Sequence, residues 1–516
     1  MTLLIVLTIL FPPSYARPQF TFNADTLVIT VTTKNPSASA KLVFGKVVDP
    51  LDFNFESYQI SRKTDTLHLF KLANLSPEEL YVFKIAFFDT VTKLYYSTQN
   101  YFFKVKWDGE GLKEGLFIDV GPYLSLLDEN DVGVAFYTNR PSKAQIYLND
   151  VLIFTDTVMS FRHEFILKDL IPGNYKYFIK IFDNDDTTCS FTYKFRIQKY
   201  PKVSFGIFSD TRGNPNSVNP AFFVDGVNEE ICRSIMRNLY TEGVSAAIVL
   251  GDLVTGRMKE FEYAEEEYKS FLKSCWPYSA YIPILPVPGN HDMITPVLED
   301  EEKRYDPPPP FSAEDLWRKI FTLPENGPEN KEGFPPYKEN VYYISFGKLT
   351  FYFLNSDYNY ISYKKKPNPS VRLPDEIQRI WLKDQIKNNS KSKINVLCFH
   401  EPLVGLGIEG RGDRTPQVDS FADFVKNLGF KFYISSHDHM YARGKIFNGL
   451  IQIVTAGGGA PLYDLKKDLQ KANPNIEILS YKKTFNYLIL RPYKGNKVKI
   501  TAQSLTGQLI EEVVIP

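Results

Sequence analysis

The sequence predicts a multidomain protein in which two all-β sandwiches precede an α/β domain. Three observations lead to this prediction: residues 18–104 alternate apolar and polar side chains between turn residues, residues 112–199 repeat that pattern, and residues 202–516 alternate strand-like and helix-like segments. Short alternating strands are typical of sandwiches, whereas strands that alternate with helices indicate a sheet covered by helices. A chain of 516 residues is long enough for roughly two to four such domains.

The first sandwich is predicted from apolar runs at 27–31, 42–44 and 67–70. The turn and strand at 72–85 resemble a corner of a fibronectin type III domain. We interpret His68, which lies on one of these strands, as a packing residue. Residues 105–111 are polar and predict a linker.

The second sandwich has strands at 132–137 and 144–148, and its corner recurs at 167–177. It is therefore fibronectin-like as well. His163 precedes an apolar run and is also interpreted as structural. Neither sandwich contains a cluster of residues that suggests chemistry.

Strands and helices alternate from residue 202 onward. The pattern predicts strands at 203–207, 246–250, 281–288, 394–399, 430–434 and 451–455, and a hairpin at 341–354. Asn219-Pro220 is typical of a helix start, with a cap residue followed by proline. Further helices are predicted near 261–272, 374–388 and 421–428, and the alternating tail at 485–515 is expected to close the second sheet of this domain.

The first 16 residues predict a secretory signal peptide, because a short apolar segment at 3–11 is followed by small residues at 14 and 16. The protein is therefore expected to be secreted or periplasmic, the alternative being a first buried strand. Four cysteines are few for an exported chain of this size, and we expect free buried thiols, although Cys232 and Cys275 remain open as a pair. Sixty basic residues balance 60 acidic ones, so charge predicts no nucleic-acid partner, and no transmembrane segment is expected.

Polar residues with metal-binding chemistry follow five predicted strands. Carboxylate, amide and imidazole groups are ligands for divalent metals, and sites in open α/β sheets lie outside the carboxyl ends of strands. The glycine at 289 allows a close turn before the Asn-His-Asp sequence that follows it. The five blocks are Asp210 to Gly213, Asp252, Asn290 to Asp292, His400 to Pro402, and His437 to Arg443.

These blocks, in this order, resemble the calcineurin-like metallophosphoesterases, and most closely their purple acid phosphatase branch. The resemblance covers roughly residues 112–516 and implies an αββα sandwich preceded by a β-sandwich. It also implies two divalent metal ions, Mn, Fe or Zn. By resemblance, Asp252 bridges the ions, Asn290, His400 and His437 complete one site, and Asp210 and His439 hold the other.

The resemblance also implies catalytic roles. His291 would protonate or stabilise the leaving oxygen, and Asp292 would hold the tautomer of that imidazole. The chain departs from the family at two positions: Arg212 replaces a metal-binding histidine, and Thr255 replaces the tyrosine that binds ferric iron. The first site is therefore expected to bind its ion weakly, the purple colour to be absent, and Arg212 to be free to reach the phosphate as a bidentate fork.

Four further positions are candidates as well. Tyr441 and Arg443 match the family block, as ligand-loop packing or as plain structure. Arg411 or Arg414 would contact the substrate as a minor hypothesis, while the Arg-Gly-Asp tripeptide at 411–413 is interpreted as chance.

The sequence thus predicts an exported, metal-dependent enzyme that hydrolyses phosphate monoesters by a metal-activated hydroxide. Two alternatives remain open. One is a phosphodiesterase of the same fold. The other is a surface-binding or adhesion protein with a degenerate phosphoesterase domain, in which the β-sandwiches would contact a cell surface.

Overall fold

A computed structural model of the chain describes residues 16–91, 93, 95–213, 226–256, 261–293, 312–330, 335–358, 361–362, 366–367, 373–389, 391–407, 415–467, 469 and 475–516. Three sequence predictions lie outside these residues. They are the signal peptide up to residue 15, the helix start at 219–220, and the arginines of the segment 411–414.

The first β region is one strongly bent sheet of eight strands. Strand β2 is long enough to serve both halves, because its first part pairs with β1 and β4 and its second part with β3 and β5. Alternate side chains of β2 point inward, so Ile29 and Leu42 are fully buried. The strands are β1 (Gln19–Phe22), β2 (Thr26–Lys46), β3 (Ser57–Ser61), β4 (Asp65–Ala73), β5 (Leu80–Asp89), β6 (Tyr95–Ser97), β7 (Tyr101–Trp107) and β8 (Leu112–Glu114).

The predicted linker at 105–111 is wrong in its bounds. Residues 105–107 belong to β7, and β8 pairs with β7 in an antiparallel ladder. The polar turn between them is only a hairpin turn, since its Asp108 side chain accepts hydrogen bonds from the amides of Glu110 and Gly111 at 3.0 and 2.9 Å.

The second β region has six strands around a central β10. They are β9 (Ile118–Leu126), β10 (Val132–Leu148), β11 (Val151–Leu167), β12 (Gly173–Phe182), β13 (Thr187–Cys189) and β14 (Tyr193–Ile197). His163 on β11 is buried, with its ring nitrogens 2.8 Å from Asp156 Oδ2 and 3.2 Å from Ser142 Oγ. His68 is likewise buried, 3.1 Å from Ser61 Oγ. Both histidines therefore have structural surroundings.

The α/β domain follows. Its strands are β15 (Phe205–Phe208), β16 (Ala246–Leu250), β17 (Ile284–Val287), β18 (Tyr342–Phe346), β19 (Leu349–Phe353), β20 (Ile361–Ser362), β21 (Lys366–Pro367), β22 (Ile394–Cys398), β23 (Phe432–Ser435), β24 (Tyr441–Lys445), β25 (Ile451–Thr455), β26 (Glu477–Lys482), β27 (Asn486–Tyr493), β28 (Lys497–Ser504) and β29 (Leu509–Ile515). Its α-helices are α1 (Glu229–Thr241), α2 (Phe261–Cys275), α3 (Asn290–Met293), α4 (Ala313–Ile320), α5 (Glu376–Asn388) and α6 (Pro416–Asn427), with a 3₁₀ turn at Tyr278–Ala280.

Two sheets pack face to face in this domain. One has the order β17-β16-β15-β27-β28-β29 and the other β18-β19-β22-β23-β25-β24-β26. The ring of Phe205 lies 4.8 and 4.6 Å from those of Phe346 and Phe351 across the interface. Helix α1 covers the first sheet so closely that a Cβ on Gly206 would meet Leu239, and Phe421 of α6 contacts Phe399 beside the second sheet. The predicted fold class, β-sandwich structure followed by an α/β sandwich, is confirmed.

The predicted position of the C-terminal tail is wrong. Strand β27 pairs antiparallel with β15 of the first sheet, and β28 and β29 extend that sheet. The second sheet is completed instead by β24 and β26, which both precede the tail in the chain. Because β15 has β16 on only one side, its other edge is the one that the tail covers.

The four cysteines are free. Cys232 and Cys275 have their Sγ atoms 3.8 Å apart in the core between α1 and α2, so they are in contact without a bond. Cys189 is exposed rather than buried, which corrects the expectation for that residue. Among the described residues, no helix combines the length and the apolar character that crossing a bilayer requires.

Candidate metal centre

The predicted site residues meet at the facing edges of the two sheets. Parallel strands β15, β16 and β17 of the first sheet, and β22 and β23 of the second, all end at this place. Because polar residues follow each strand directly, the loops bring them together at one edge. The residues are Asp210, Asp252, Asn290, His291, His400, His437 and His439, and all except the half-buried His437 are buried.

Three of these residues have backbone conformations that non-glycine residues rarely adopt. The φ angles of Asp210, Asp252 and His437 are 55°, 52° and 68°. Each such residue costs on the order of 1–3 kcal/mol, and such costs concentrate at functional sites. The turns thus point the side chains back toward the neighbouring strand ends.

Asp252 is shared by two groups of ligand-type side chains. The first group consists of Asp210, Asp252 and His439. The second group consists of Asp252, Asn290, His400 and His437. In each group the carboxylate and imidazole ligand atoms lie within 4.8 Å of one another. This is the arrangement that a bridging carboxylate requires.

The second group brings the ligand atoms of four side chains close together. Asn290 Oδ1 lies 3.1 Å from His400 Nε2 and 3.0 Å from His437 Nδ1, and His400 Nε2 lies 3.3 Å from Asp252 Oδ1. His400 Nδ1 is 2.8 Å from the Leu250 carbonyl and donates to it, so Nε2 faces the other ligands and offers a lone pair when the ring is neutral. Acceptors that converge in a buried place need a cation, so this group fits a divalent metal.

The outer nitrogens of the histidines are held by the protein. His439 Nδ1 lies 2.7 Å from the Pro461 carbonyl, and His437 Nε2 lies 3.6 Å from Glu401 Oε2. Such partners fix the tautomer and the direction of a ligand imidazole. Both therefore turn their inner nitrogens toward the centre.

The electrostatic field of the site favours positive charge. Burial lowers the pKa of His400, but the carboxylates of Asp252 and Asp210 outweigh burial and raise it to about 9. Burial also raises the pKa of Asp252, yet the positive charges of His400, His291 and Arg212 hold it well below its usual range. The same carboxylates would also stabilise the positive charge of a bound metal ion.

Metal affinity should therefore depend on pH. The pKa of His400 is raised to about 9, so below that pH the metal-free protein carries a second proton on the imidazole. That proton must leave before Nε2 can bind an ion. We expect Mn²⁺ affinity to rise between pH 6 and pH 8 by roughly tenfold per unit, with about one proton released per ion. Titration calorimetry in two buffers with different ionisation enthalpies measures both quantities, and an affinity independent of pH would contradict the assignment.

The first group fits a metal less well. It offers three donors, and the Arg212 guanidinium lies among them: Nη2 is 3.3 Å from His439 Nε2, and Nε is 3.3 Å from Asp252 Oδ2. Asp210 Oδ2 already accepts from Ser209 Oγ at 2.5 Å, and Oδ1 has no hydrogen-bond partner among the described residues. A fixed positive charge therefore occupies part of the space between these ligands.

His291 lies beside both groups, and its orientation differs from the prediction. Its Nδ1 is 2.6 Å from the Thr255 carbonyl and donates to it, and its Nε2 is 3.9 Å from Asp252 Oδ2. The Asp292 carboxylate was predicted to hold this tautomer but accepts instead from the amides of Gly289 and Leu253, at 2.9 and 3.2 Å. The role assigned to Asp292 is therefore corrected: it ties together the two loops that carry Asp252 and Asn290.

Gly289 is required by a close approach between these loops. A Cβ at this position would lie 2.6 Å from Asp252 Oδ1 and 2.9 Å from His400 Nδ1. We expect Gly289→Ala to displace both ligands and to weaken Mn²⁺ binding by at least ~10-fold, as changes to the supports of metal ligands do. Gly173→Ala is the matched control, because the nearest atom to its added carbon is 3.9 Å away. Equal Kd values for the two variants would show that the loop contact is unimportant.

Sequence reasoning missed several supports of the site. The Thr255 carbonyl that orients His291 is a backbone group and has no sequence signal. Glu401 directly follows His400, and that adjacency was the only available hint. Tyr463 stacks on His439 with ring centroids 4.1 Å apart.

Tyr441 and Arg443 have a structural role. Their side chains bind Glu511 of β29, through Tyr441 Oη at 2.6 Å and Arg443 Nε at 3.0 Å. They therefore link the second sheet to the last strand of the first sheet.

The chain is similar to known proteins in sequence and in fold. Residues 203–441 match the family model of the calcineurin-like phosphoesterases. The structure of a purple acid phosphatase, PPD1, from yellow lupin (Lupinus luteus) seeds is similar over 95% of this chain and 93% of that chain, with a TM-score of 0.59 and 14% sequence identity. A dimetal phosphatase from Danio rerio aligns over 61% of this chain and 99% of its own length, with a TM-score of 0.40 and 12% identity. No curated protein matches the sequence.

The family match begins just before β15 and ends at the first residue of β24, so it includes all five strand ends that form the site. The likeness to the lupin enzyme extends the shared fold to the N-terminal β regions. Residues 203–441 are therefore a calcineurin-like phosphoesterase domain, in a chain folded like a purple acid phosphatase.

Proposed function

We propose that this protein is an exported, metal-dependent phosphoesterase that hydrolyses phosphate monoesters. The observation that carries the proposal is the convergence of Asn290 Oδ1, His400 Nε2 and His437 Nδ1 beside the Asp252 carboxylate, with His291 next to them. Divalent ions bound in such a site supply an activated water and neutralise phosphoryl charge. Mn, Fe or Zn all suit this set of carboxylate, amide and imidazole donors.

The side chains around the ligands divide the remaining work. His291 has its Nδ1–H committed to the Thr255 carbonyl, so Nε2 is the atom that exchanges a proton with the leaving oxygen. Asp252 Oδ2 lies 3.9 Å from this atom. Asp292 and Gly289 keep the loops of Asp252 and Asn290 at a fixed separation, which orients the ligands without touching the substrate.

The presence of Thr255 favours a site that holds a redox-inactive ion or ferrous iron. Its Oγ1 donates to the Gly226 carbonyl at 3.1 Å, and no phenol stands at this position to bind ferric iron. We therefore propose a colourless protein. An absorption band in the visible range after reconstitution with iron would contradict this.

The test is a rate comparison on purified protein with Mn²⁺, between p-nitrophenyl phosphate and bis-p-nitrophenyl phosphate. We expect the monoester to be turned over faster. Faster turnover of the diester would favour a phosphodiesterase of the same fold. Detection of the cleaved N-terminal segment after secretion from the native host tests the proposed secreted or periplasmic location.

One observation favours a second function, contact with a cell surface or another protein. Strand β11 lies at the edge of the second β region, and its outer half exposes seven apolar side chains at 39–66% of their surface: Val151, Leu152, Ile153, Phe154, Val158, Met159 and Phe161. Exposed apolar edge strands of this length are typical of interaction sites. Absence of turnover with both esters, across metals and pH, would make a binding protein the better proposal.

A further inference from the structure

Arg212 lies inside the first group, where a second metal ion would be bound. Its side chain is only 7% exposed, and its guanidinium contacts both Asp252 and His439 at 3.3 Å. The backbone holds it there, since the Arg212 amide donates to the Asp252 carbonyl at 3.2 Å and residue 212 forms a β-bridge with Val227. The side chain therefore enters the group from an anchored position.

The guanidinium uses the lone pair that a metal would need. His439 Nδ1 donates to the Pro461 carbonyl, so Nε2 carries the only lone pair of this ring, and it faces Arg212 Nη2. An arginine stays charged at every accessible pH. A divalent ion placed between the same ligands would thus be repelled by the guanidinium charge, and it would find the His439 Nε2 lone pair already engaged in a hydrogen bond.

The balance of charge also disfavours a metal ion in the first group. Two carboxylates, Asp210 and Asp252, are buried in the first group, and one fixed cation already offsets part of their charge. Among the described contacts, Arg212 reaches the second group only through the shared Asp252, whereas the other three ligands, Asn290, His400 and His437, have their ligand atoms 3.0–3.3 Å from one another. A divalent ion is therefore stabilised more strongly in the second group than in the first.

Arg212 also has an unused donor. Its Nη1 is buried and has no hydrogen-bond partner among the described residues. An unpaired buried donor is costly unless a ligand satisfies it. A phosphoryl oxygen held at the second group is a ligand of matching charge and geometry, because guanidinium binds phosphate through directed N–H groups.

We propose that the Arg212 guanidinium takes the place of the ion in the first group, so that each chain binds one divalent metal ion, in the second group, and Arg212 supplies the other positive charge to the substrate phosphate. This inference rests on the proposed function of the same site. It departs from the expectation of two ions, and its physical reason is the replacement of a neutral imidazole donor by a charged side chain at residue 212.

The test is the number of metal ions per chain. The full-length protein is stripped with chelator, loaded with Mn²⁺, dialysed, and measured by elemental analysis together with the electron paramagnetic resonance of Mn²⁺. We expect one ion per chain and the signal of an isolated Mn²⁺. Arg212→His, which restores an imidazole donor, is expected to bind two ions and to show a coupled signal.

Two further variants keep the test decisive if Arg212→His folds poorly. Asp210→Asn should still bind one ion, because Asp210 belongs only to the first group. Arg212→Met should also keep one ion, but inorganic phosphate should inhibit it at least tenfold more weakly. Arg491→His is the matched control, since that arginine is partly exposed on β27 and paired with Glu242; it should leave both quantities unchanged.

The outcomes separate the two proposals. Two ions in the unaltered protein, one of them lost in Asp210→Asn, would overturn the role of Arg212 and leave a metal-dependent phosphoesterase intact. Unchanged phosphate inhibition in Arg212→Met would overturn its contact with substrate. No bound ion in any variant would contradict the proposed function itself.

Discussion

His437→Ala is expected to lose its metal ion and to turn over p-nitrophenyl phosphate more than ~10²-fold more slowly, because even the outer partners of metal ligands contribute roughly 10- to 100-fold. His437 Nδ1 lies 3.0 Å from Asn290 Oδ1 and 3.3 Å from His400 Nε2, so its removal opens one side of the second group. The fold should persist, since His437 is half-buried in a loop after β23. Metal analysis, steady-state kinetics and a thermal melt test the three statements.

His68→Gln is the control for that variant. His68 is buried in the first β region, and its Nδ1 contacts Ser61 Oγ. This substitution can lower the melting temperature but should leave metal content and kcat unchanged. An unaltered metal content in His437→Ala would refute the assignment of the second group.

His291→Gln is expected to lower kcat by ~10²–10⁴-fold, the range for loss of a general acid. The metal content should stay the same, because His291 contacts Asp252 through its backbone amide, at 2.9 Å, and that contact does not depend on the side chain. Glutamine can still form a hydrogen bond but cannot give up a proton. The two histidine variants therefore separate metal binding from proton transfer.

The leaving group distinguishes proton donation from simple packing. A p-nitrophenolate leaves readily without a proton, whereas an alkoxide does not. We expect His291→Gln to lose more activity on glycerol phosphate than on p-nitrophenyl phosphate. Equal losses on both substrates would show that His291 positions the substrate but does not protonate it.

The positions of the ligands were predictable from sequence because of a simple geometric rule. Asp210, Asp252 and His400 each come within two residues of the end of a buried parallel strand. Carboxyl ends of parallel strands meet at one edge, so an apolar run followed by a metal-type residue is informative by itself. Turn chemistry added Gly289, whose lack of a side chain permits the contact between the loops.

Other features depend on tertiary contacts that the sequence does not encode locally. The Thr255 carbonyl orients His291 through a backbone atom, and every residue has such an atom. The tail at β27 was assigned to the wrong sheet because an alternating pattern gives a strand but not its neighbour. The bounds of the first β region were misjudged because the polar turn at residues 108–111 resembles a linker in composition.

Arg212 shows most clearly what could not be predicted from the sequence. The sequence identified it as a departure from the family, and its direction was left open between a weak metal site and a phosphate contact. The structure places its guanidinium between Asp252 and His439, because the amide of residue 212 is hydrogen-bonded to the Asp252 carbonyl. A side chain's direction follows from such backbone anchors, which only the folded chain supplies.

The most direct test of a metal-dependent phosphoesterase is reversible inactivation. Turnover of p-nitrophenyl phosphate is measured on the purified protein, again after removal of metal by a chelator, and again after addition of Mn²⁺, with His437→Ala in parallel. We predict that activity is lost on chelation and restored by the metal in the unaltered protein only. Activity that survives chelation, or that Mn²⁺ restores equally in His437→Ala, would contradict the account.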